Sequence, residues 1–259
     1  MIALLTDFGG RDHYAGTMKG VALGICPDAT LVDISHDVPA HDVIAAALEL
    51  SAAYRYFPSG TIFLVVVDPG VGSSRRGLAA EAGDYKFVAP DNGVLSIVFD
   101  EHPPRRVVEL TERRYARPSV SRTFEGRDRF APAAAWLAKG IELTALGRPA
   151  GAVCRLEVPQ PRETASGLEG EVVRVDRFGN LITNIDRRAF EKLAAADRLS
   201  IRVGAHQVSK VVSAYADASP GELCALVGST EHLEIAASGA SAAVAIGAGR
   251  GTAVYVERA

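Results

Sequence analysis

The sequence predicts an α/β protein in two parts: an N-terminal α/β domain with a mostly parallel sheet, and a smaller C-terminal β-barrel-like domain. Three observations carry that expectation. In the first half, short apolar runs alternate with segments of helical spacing, the pattern of a parallel sheet covered on both faces. The run "TIFLVVV" (61–67) is apolar at every position after Thr61, too apolar to alternate, as expected of a strand buried on both sides. After about Arg155 the texture changes to short β-rich runs at close spacing. The segment "VPQPRET" between the two textures has two prolines and little periodicity. The expected organisation is a domain over 1–157, a linker over 158–166 and a second domain over 167–259.

The elements follow in order. "IALLT" is a first strand, and "HYAGTMKGVALGICP" carries helical spacing closed by Pro27. "TLVDIS" is a second strand, and "DVIAAALELSAAYRYFP" is a helix whose leading acid suits the positive end of the helix dipole. "TIFLVVV" and "YKFVA" are further strands, the latter followed by the turn "PDNG". "RFAPAAAWLAKGIEL" reads as a helix starting near Pro132. In the second domain "GEVVRVD", "LITNI", "LSIRVG", "HQVSKVVS", "ALVG", "LEIAA" and "TAVYVER" are short strands, and "DRRAFEKLAAA" is helical. "AASGASAAVAIGAGRG" is rich in small residues, and its apolar periodicity makes it a packed turn.

Composition narrows the function. Nearly half of the 259 residues are apolar, enough for a sizeable core and too many for disorder. The formal charge of −3 offers no general attraction to nucleic acid or anionic membrane. No stretch approaches the roughly 18 apolar residues of a membrane span, and the N-terminus enters a strand without a charged leader, so a cytoplasmic protein is expected. Cys26, Cys154 and Cys224 are odd in number and far apart, which disfavours a disulfide framework and suits small buried hydrophobes. No spacing of Cys or His suggests a metal site.

Acids stand at the carboxyl ends of three expected strands, in "LLTDFGGRD", "VDISHD" and "VVVDPG". Any one alone suits a cap or a turn. As a set they mark the edge where open α/β sheets bind ligands. The glycines after Asp7 lack both common phosphate-binding patterns, and the acids beside them would repel phosphate. A cationic or polyhydroxylated ligand fits better, because a strand-end acid can accept two hydrogen bonds from a ribose diol. In the second domain "VDRFGNLITNID" is the densest polar-aromatic cluster, readable either as a hairpin turn or as a nucleoside contact. There is no G-x-S-x-G elbow. These residues alone point to an enzyme with a nucleoside-like ligand.

Seven segments in order also resemble the S-adenosylmethionine hydroxide adenosyltransferase family, relatives of the fluorinase and chlorinase. They are "LLTDFGGRDHYAGTMKG", "VDISHDVPAHDV", "VVVDPGVGSSRR", "VAPDNGVL", "TFEGRDRFAPAAA", "VDRFGNLITNI" and "LVGSTEHLEIA", spanning nearly the whole chain. The resemblance implies hydrolysis of S-adenosyl-L-methionine to adenosine and L-methionine, with no cofactor. It also implies a homotrimer whose sites combine the N-domain of one subunit with the C-domain of the next. By similarity, Asp7 holds the ribose hydroxyls, Asp12 and Asp176 the methionine ammonium, and Asn180 the adenine edge. Phe178 and Tyr215 offer rings to adenine, Ser229 meets the methionine carboxylate, and His41 stands where the halogenases carry a tryptophan against the sugar. Thr230 replaces the halogenases' arginine beside that carboxylate. The family orients water with Asp, Arg and His. Asp68 and Arg75 match the first two, and the loop between them lets Arg75 fold back onto Asp68. An acid at 68 would repel halide and favours water. Glu125 departs from the pattern, occupying the histidine position in "TFEGRD". Two other readings stay open: a protein that binds the same substrate with little catalysis, and a halide adenosyltransferase.

Overall fold

Residues 1–195 and 199–258 are described by the computed structural model, and the chain divides into two compact units, Met1–Glu157 and Val158–Ala259. The first is a six-stranded sheet with helices on both faces. Its strands are β1 (Ile2–Thr6), β2 (Leu31–Ser35), β3 (Ile62–Val66), β4 (Gly77–Ala82), β5 (Tyr85–Pro90) and β6 (Arg106–Glu109), in the order β2-β1-β3-β5-β4-β6. β1 pairs parallel with β2 and β3, and β3 with β5; β4 pairs antiparallel with β5 and β6.

Strand residues alternate between two cores. Leu4, Leu64 and Val66 face one, with Met18 of helix α1 (Tyr14–Ile25) and Ala134 of a later helix. Leu5, Phe63 and Val65 face the other, with Leu50 of α2 (Val43–Ala53) and Val98 of α3 (Ser96–Glu101). Burial on both faces is why the strands read as continuous apolar runs. Asp42 caps α2 by accepting from the Ala45 N–H at 2.9 Å. The expected continuation of this helix toward Pro58 instead tightens into a 3-10 turn over Tyr54–Tyr56. α4 (Ala131–Ala138) has Pro132 in its first turn, where the missing N–H costs nothing. It is entered through a π-helical turn, Gly126–Phe130.

β4, β6 and α3 were not expected from the sequence. "GLAAEA" lacks the branched and aromatic residues that mark strands, and α3 has only six residues. β4 turns back into β5 through Gly83-Asp84, a dipeptide suited to two-residue hairpins.

The second unit is an antiparallel sheet coiled toward closure. It comprises β7 (Arg162–Glu163), β8 (Gly167–Val175), β9 (Leu181–Asp186), β10 (Leu199–Val203), β11 (His206–Val208), β12 (Leu223–Val227), β13 (His232–Ala237) and β14 (Ala253–Arg258). The order is β11-β10-β14-β8-β9-β13-β12, with β7 on β8, so part of the expected linker is a strand. "HQVSKVVS" is strand only over His206–Val208; the chain then crosses to the far edge. There Ala225 of β12 donates to Lys210 O at 2.8 Å and accepts from Val212 N–H at 2.9 Å. This bridge nearly closes the barrel around Val172, Leu181, Ile201, Ile235 and Val254. α5 (Arg187–Ala194) is capped by Asp186, and the expected helix's last residue, Ala196, lies outside the described residues. The small-residue segment forms α6 (Ala242–Ile246). Of the cysteines, Cys224 is buried as expected, Cys26 is half-buried, and Cys154 is exposed, contrary to expectation.

Candidate active site

The strand order puts the three acidic loops side by side. β1 lies between β2 and β3, with Thr6 opposite Val66 and Leu5 opposite Ser35. The loops starting at His36, Asp7 and Asp68 therefore leave one edge together, at the strands' carboxyl ends. Thr6 Oγ1 and His36 Nδ1 are 2.8 Å apart, and Gly9 N–H donates to His36 O at 2.7 Å. Asp7 Oδ2 accepts from the His41 N–H at 2.9 Å. His41 sits at φ 66, the left-handed region that a side chain rarely adopts, and this contact helps hold it there. Asp12 is exposed just before α1. Phe124, beside Glu125, packs its ring 5.9 Å from Phe8 and 5.0 Å from Tyr14. That contact draws the Asp7, Asp12 and Glu125 segments to one place.

Asp68 and Arg75 form a forked ion pair. Arg75 Nε donates to Asp68 Oδ1 at 2.8 Å and Nη2 donates to Oδ2. The intervening loop folds back through the Val71 N–H to Asp68 O and the Ser73 hydroxyl to Gly70 O. Gly72 makes this possible: it sits at φ +76, and a Cβ there would lie 2.3 Å from Arg122 O. Glu125 brings its Oε2 to 2.5 Å from Arg75 Nη2. All three side chains are about nine-tenths buried. Burial works against the Arg75 charge, but Asp68 and then Glu125 outweigh it and hold the guanidinium above its ordinary pKa. The Phe130 ring covers one face of the guanidinium, with 5.0 Å between its centre and Cζ.

Neighbouring ion pairs fix these loops. Arg76 turns from Arg75 to Asp91, and Asp91 Oδ1 accepts from Cys154 N–H at 2.8 Å. Asp128, fully buried, takes a forked pair from Arg127 at 2.7 Å and the Ser121 N–H at 2.8 Å. Burial raises its pKa, yet Arg127, the Ser121 N–H and Arg117 together bring it below the ordinary aspartate range. A charged Asp128 therefore staples the segment that presents Glu125.

In the second unit Asp176, Phe178 and Asn180 lie in the β8–β9 turn, while Tyr215 and Ser229 come from later segments. Asp176 Oδ1 accepts from the N–H groups of Phe178 (2.9 Å) and Asn180 (2.8 Å), and Oδ2 accepts from Asn180 Nδ2 at 2.9 Å. Asp176 is thus the turn's own organiser. Asn180 is buried and its backbone carbonyl accepts from the Asp176 N–H at 3.1 Å, while Phe178 is largely exposed. Tyr215 donates its hydroxyl to Glu234 Oε1 at 2.6 Å. Burial foremost, and then that carboxylate, push the phenol upward. Burial also raises Glu234, Tyr215 pulls it back in part, and Asp176 adds to the rise. Ser229 lies exposed in the β12–β13 turn. No hydrogen bond joins it to the Asp176 turn among the described residues, although its neighbour Gly228 packs against the Glu234 carboxylate.

Two residues that face this chemistry escaped sequence reasoning. Arg129 donates to Glu125 Oε1 at 3.2 Å; the signal was its position four residues after Glu125. Glu234 is a buried acid flanked by Leu233 and Ile235, an interruption of an apolar strand. Among the described residues no group of three or more His, Cys, Asp or Glu side chains could hold a metal ion.

Comparison with known proteins adds an independent line. Residues 2–147 match the SAM hydroxide adenosyltransferase N-terminal domain, and residues 170–255 match the C-terminal domain. A protein of Salinispora tropica named (R)-S-adenosyl-L-methionine hydrolase is 38% identical, covering 95% of this chain and 93% of its own. One of the same name from Thermus thermophilus is 37% identical over 98% of each. The crystal structure of an uncharacterized conserved protein from Thermotoga maritima superposes with a TM-score of 0.93 at 37% identity, covering 99% of this chain and all of that one. With both domain matches and these relatives, the chain belongs to the SAM hydroxide adenosyltransferase family.

Proposed function

We propose that this protein hydrolyses S-adenosyl-L-methionine to adenosine and L-methionine. The oxygen of water attacks C5′ while the C5′–S bond breaks. The bonding electrons stay on sulfur, methionine leaves as a neutral thioether, and the water proton passes to a carboxylate or to solvent. A sulfonium is already an activated leaving group, so we assign no leaving-group acid, metal or organic cofactor. The chain's task is placement, which can supply about 7–11 kcal/mol, in a site sheltered from bulk water.

The observation that carries this reading is the buried Asp68–Arg75–Glu125 cluster at the end of β3. It offers a nucleophile one cation between two carboxylates, an arrangement that favours water over halide. The names of the two hydrolase relatives support it. In this proposal Asp7 uses the oxygen not taken by His41 for the ribose diol, with His41 beside the sugar. Asp12 and Asp176 hold the ammonium, and the side-chain amide of Asn180 reads adenine, flanked by Phe178 and Tyr215. Ser229 meets the methionine carboxylate. The proposal extends to a cytoplasmic homotrimer whose sites draw on two subunits; sedimentation at the mass of a single chain would overturn that part. No helix of the described residues is long and apolar enough to cross a membrane.

The test is incubation with S-adenosyl-L-methionine in oxygen-labelled water. Adenosine carrying the label at its 5′ oxygen is expected, and chlorinated adenosine in the presence of chloride would point instead to halide transfer. Glu125 favours a second reading, in which the substrate binds and turns over poorly. Glu125→His is expected to speed adenosine release. Equal rates in the two proteins would show that the glutamate is no handicap.

A further inference from the structure

The Glu125 carboxylate lies between two arginines, and its two oxygens are treated differently. Oε1 accepts from Arg129 Nη1 at 3.2 Å, while Arg129 Nη2 donates to Leu110 O at 2.6 Å. Arg129 is thereby tied to backbone on one side and to Glu125 on the other. Oε2 lies 2.5 Å from Arg75 Nη2 in an ion pair. Oε2 and Arg75 Nη1 are both buried, and neither has a hydrogen-bond partner among the described residues. One is an acceptor and the other a donor. A buried donor such as Nη1 left without an acceptor is unfavourable.

Arg75 already uses Nε and Nη2 on Asp68. The same Nη2 also meets Glu125 Oε2, and a carboxylate free to turn would close on the guanidinium as a second fork. That closure would bring Oε1 to Nη1 and Oε2 fully onto Nη2, and leave nothing for a reacting molecule. Arg129 opposes the rotation by holding Oε1.

We infer that Arg129 is a positioning residue, which keeps Glu125 from extending its single ion-pair contact with Arg75 into a second fork and so reserves Arg75 Nη1 and Glu125 Oε2 for the attacking water. One water can accept from Nη1 and donate to Oε2, which points an oxygen lone pair away from both. The inference rests on the hydrolase reading above and adds to it a residue outside the cluster itself.

The test is a set of variants assayed for adenosine release and, by calorimetry, for S-adenosyl-L-methionine affinity. Arg129→Leu is expected to lower kcat about tenfold, a coupling typical of residues in contact, with KM and affinity unchanged. Arg129→Lys, which keeps a cation near Oε1, is expected to recover most of the loss and guards against a variant that fails to fold. In a Glu125→Gln background, Arg129→Leu is expected to have no further effect on kcat. An unchanged kcat in Arg129→Leu overturns the inference, as does an equal loss in both backgrounds, which would mean a merely structural role. A parent protein that binds the substrate and releases no adenosine overturns the hydrolase reading, and this inference with it.

Discussion

Asp68 and Asp176 both organise polar groups beside a strand end, but by different means. Asp68 is buried in an ion-pair cluster whose members come from the loop after β3 and from the turn before α4. Asp176 finds three hydrogen-bond donors within four residues of itself, two of them backbone N–H groups. The first cluster exists only when the whole first unit is folded; the second is a local turn that needs the barrel mainly for support. The comparison teaches where sensitivity should lie. Removing one charge from a buried cluster leaves its partners uncompensated, whereas a turn tolerates side-chain change and fails when its backbone is constrained.

The largest effect is expected from Asp68→Asn, which keeps the shape and removes the charge. Adenosine release should fall on the order of 10²–10⁴-fold, and chemical denaturation should show a loss of about 3 kcal/mol, because Arg75 keeps only Glu125. A stable, active variant would mean that the cluster is neither catalytic nor structural. Next comes the backbone of the turn. Gly179 lies at φ +84, and a Cβ there would stand 2.0 Å from Ser241 Oγ. Gly179→Ala should therefore cost about 2 kcal/mol and weaken substrate affinity while leaving the Asp68 cluster intact. Unchanged affinity would separate the turn from the site.

The smallest expected effect is a pH dependence carried by Glu234. Burial raises its folded pKa above the ordinary 4.5. Its stability contribution is therefore fully present below the ordinary value and lost as pH rises through the folded one, since the native state then binds the extra proton. Glu234→Gln keeps an acceptor for Tyr215 but does not titrate. Its melting temperature relative to the parent should climb as pH rises from the ordinary 4.5 through the raised folded value. A constant difference would show that Glu234 ionises as an ordinary surface acid does.

Much of the fold was legible because the chain repeats its signals. Continuous apolar runs marked β1 and β3, and Asp42 and Pro132 marked helix starts, each acting through neighbours in sequence. β4 was hidden because its alanines and glycine carry no strand preference and are held there by pairing with β5 and β6. In the site, Asp68, Arg75 and Glu125 were singled out through resemblance to a family. The local text offered only an acid, a flexible loop and two arginines. It could not say which arginine would serve Asp68: the fold sends Arg76 to Asp91.

The sequence by itself determined the strand-helix alternation, the change of texture after Arg155, the acidic strand ends and the Asp176 turn. All are set by periodicity or by residues a few positions apart. Only the tertiary structure decided that the three acidic loops emerge side by side, that Arg75 meets Glu125, that Arg129 holds the far oxygen of that carboxylate, and that Glu234 lies under Tyr215. Those contacts join residues far apart in the chain, or depend on how a helix turn faces a strand end. Their energy comes from burial and charge pairing that the extended chain does not possess.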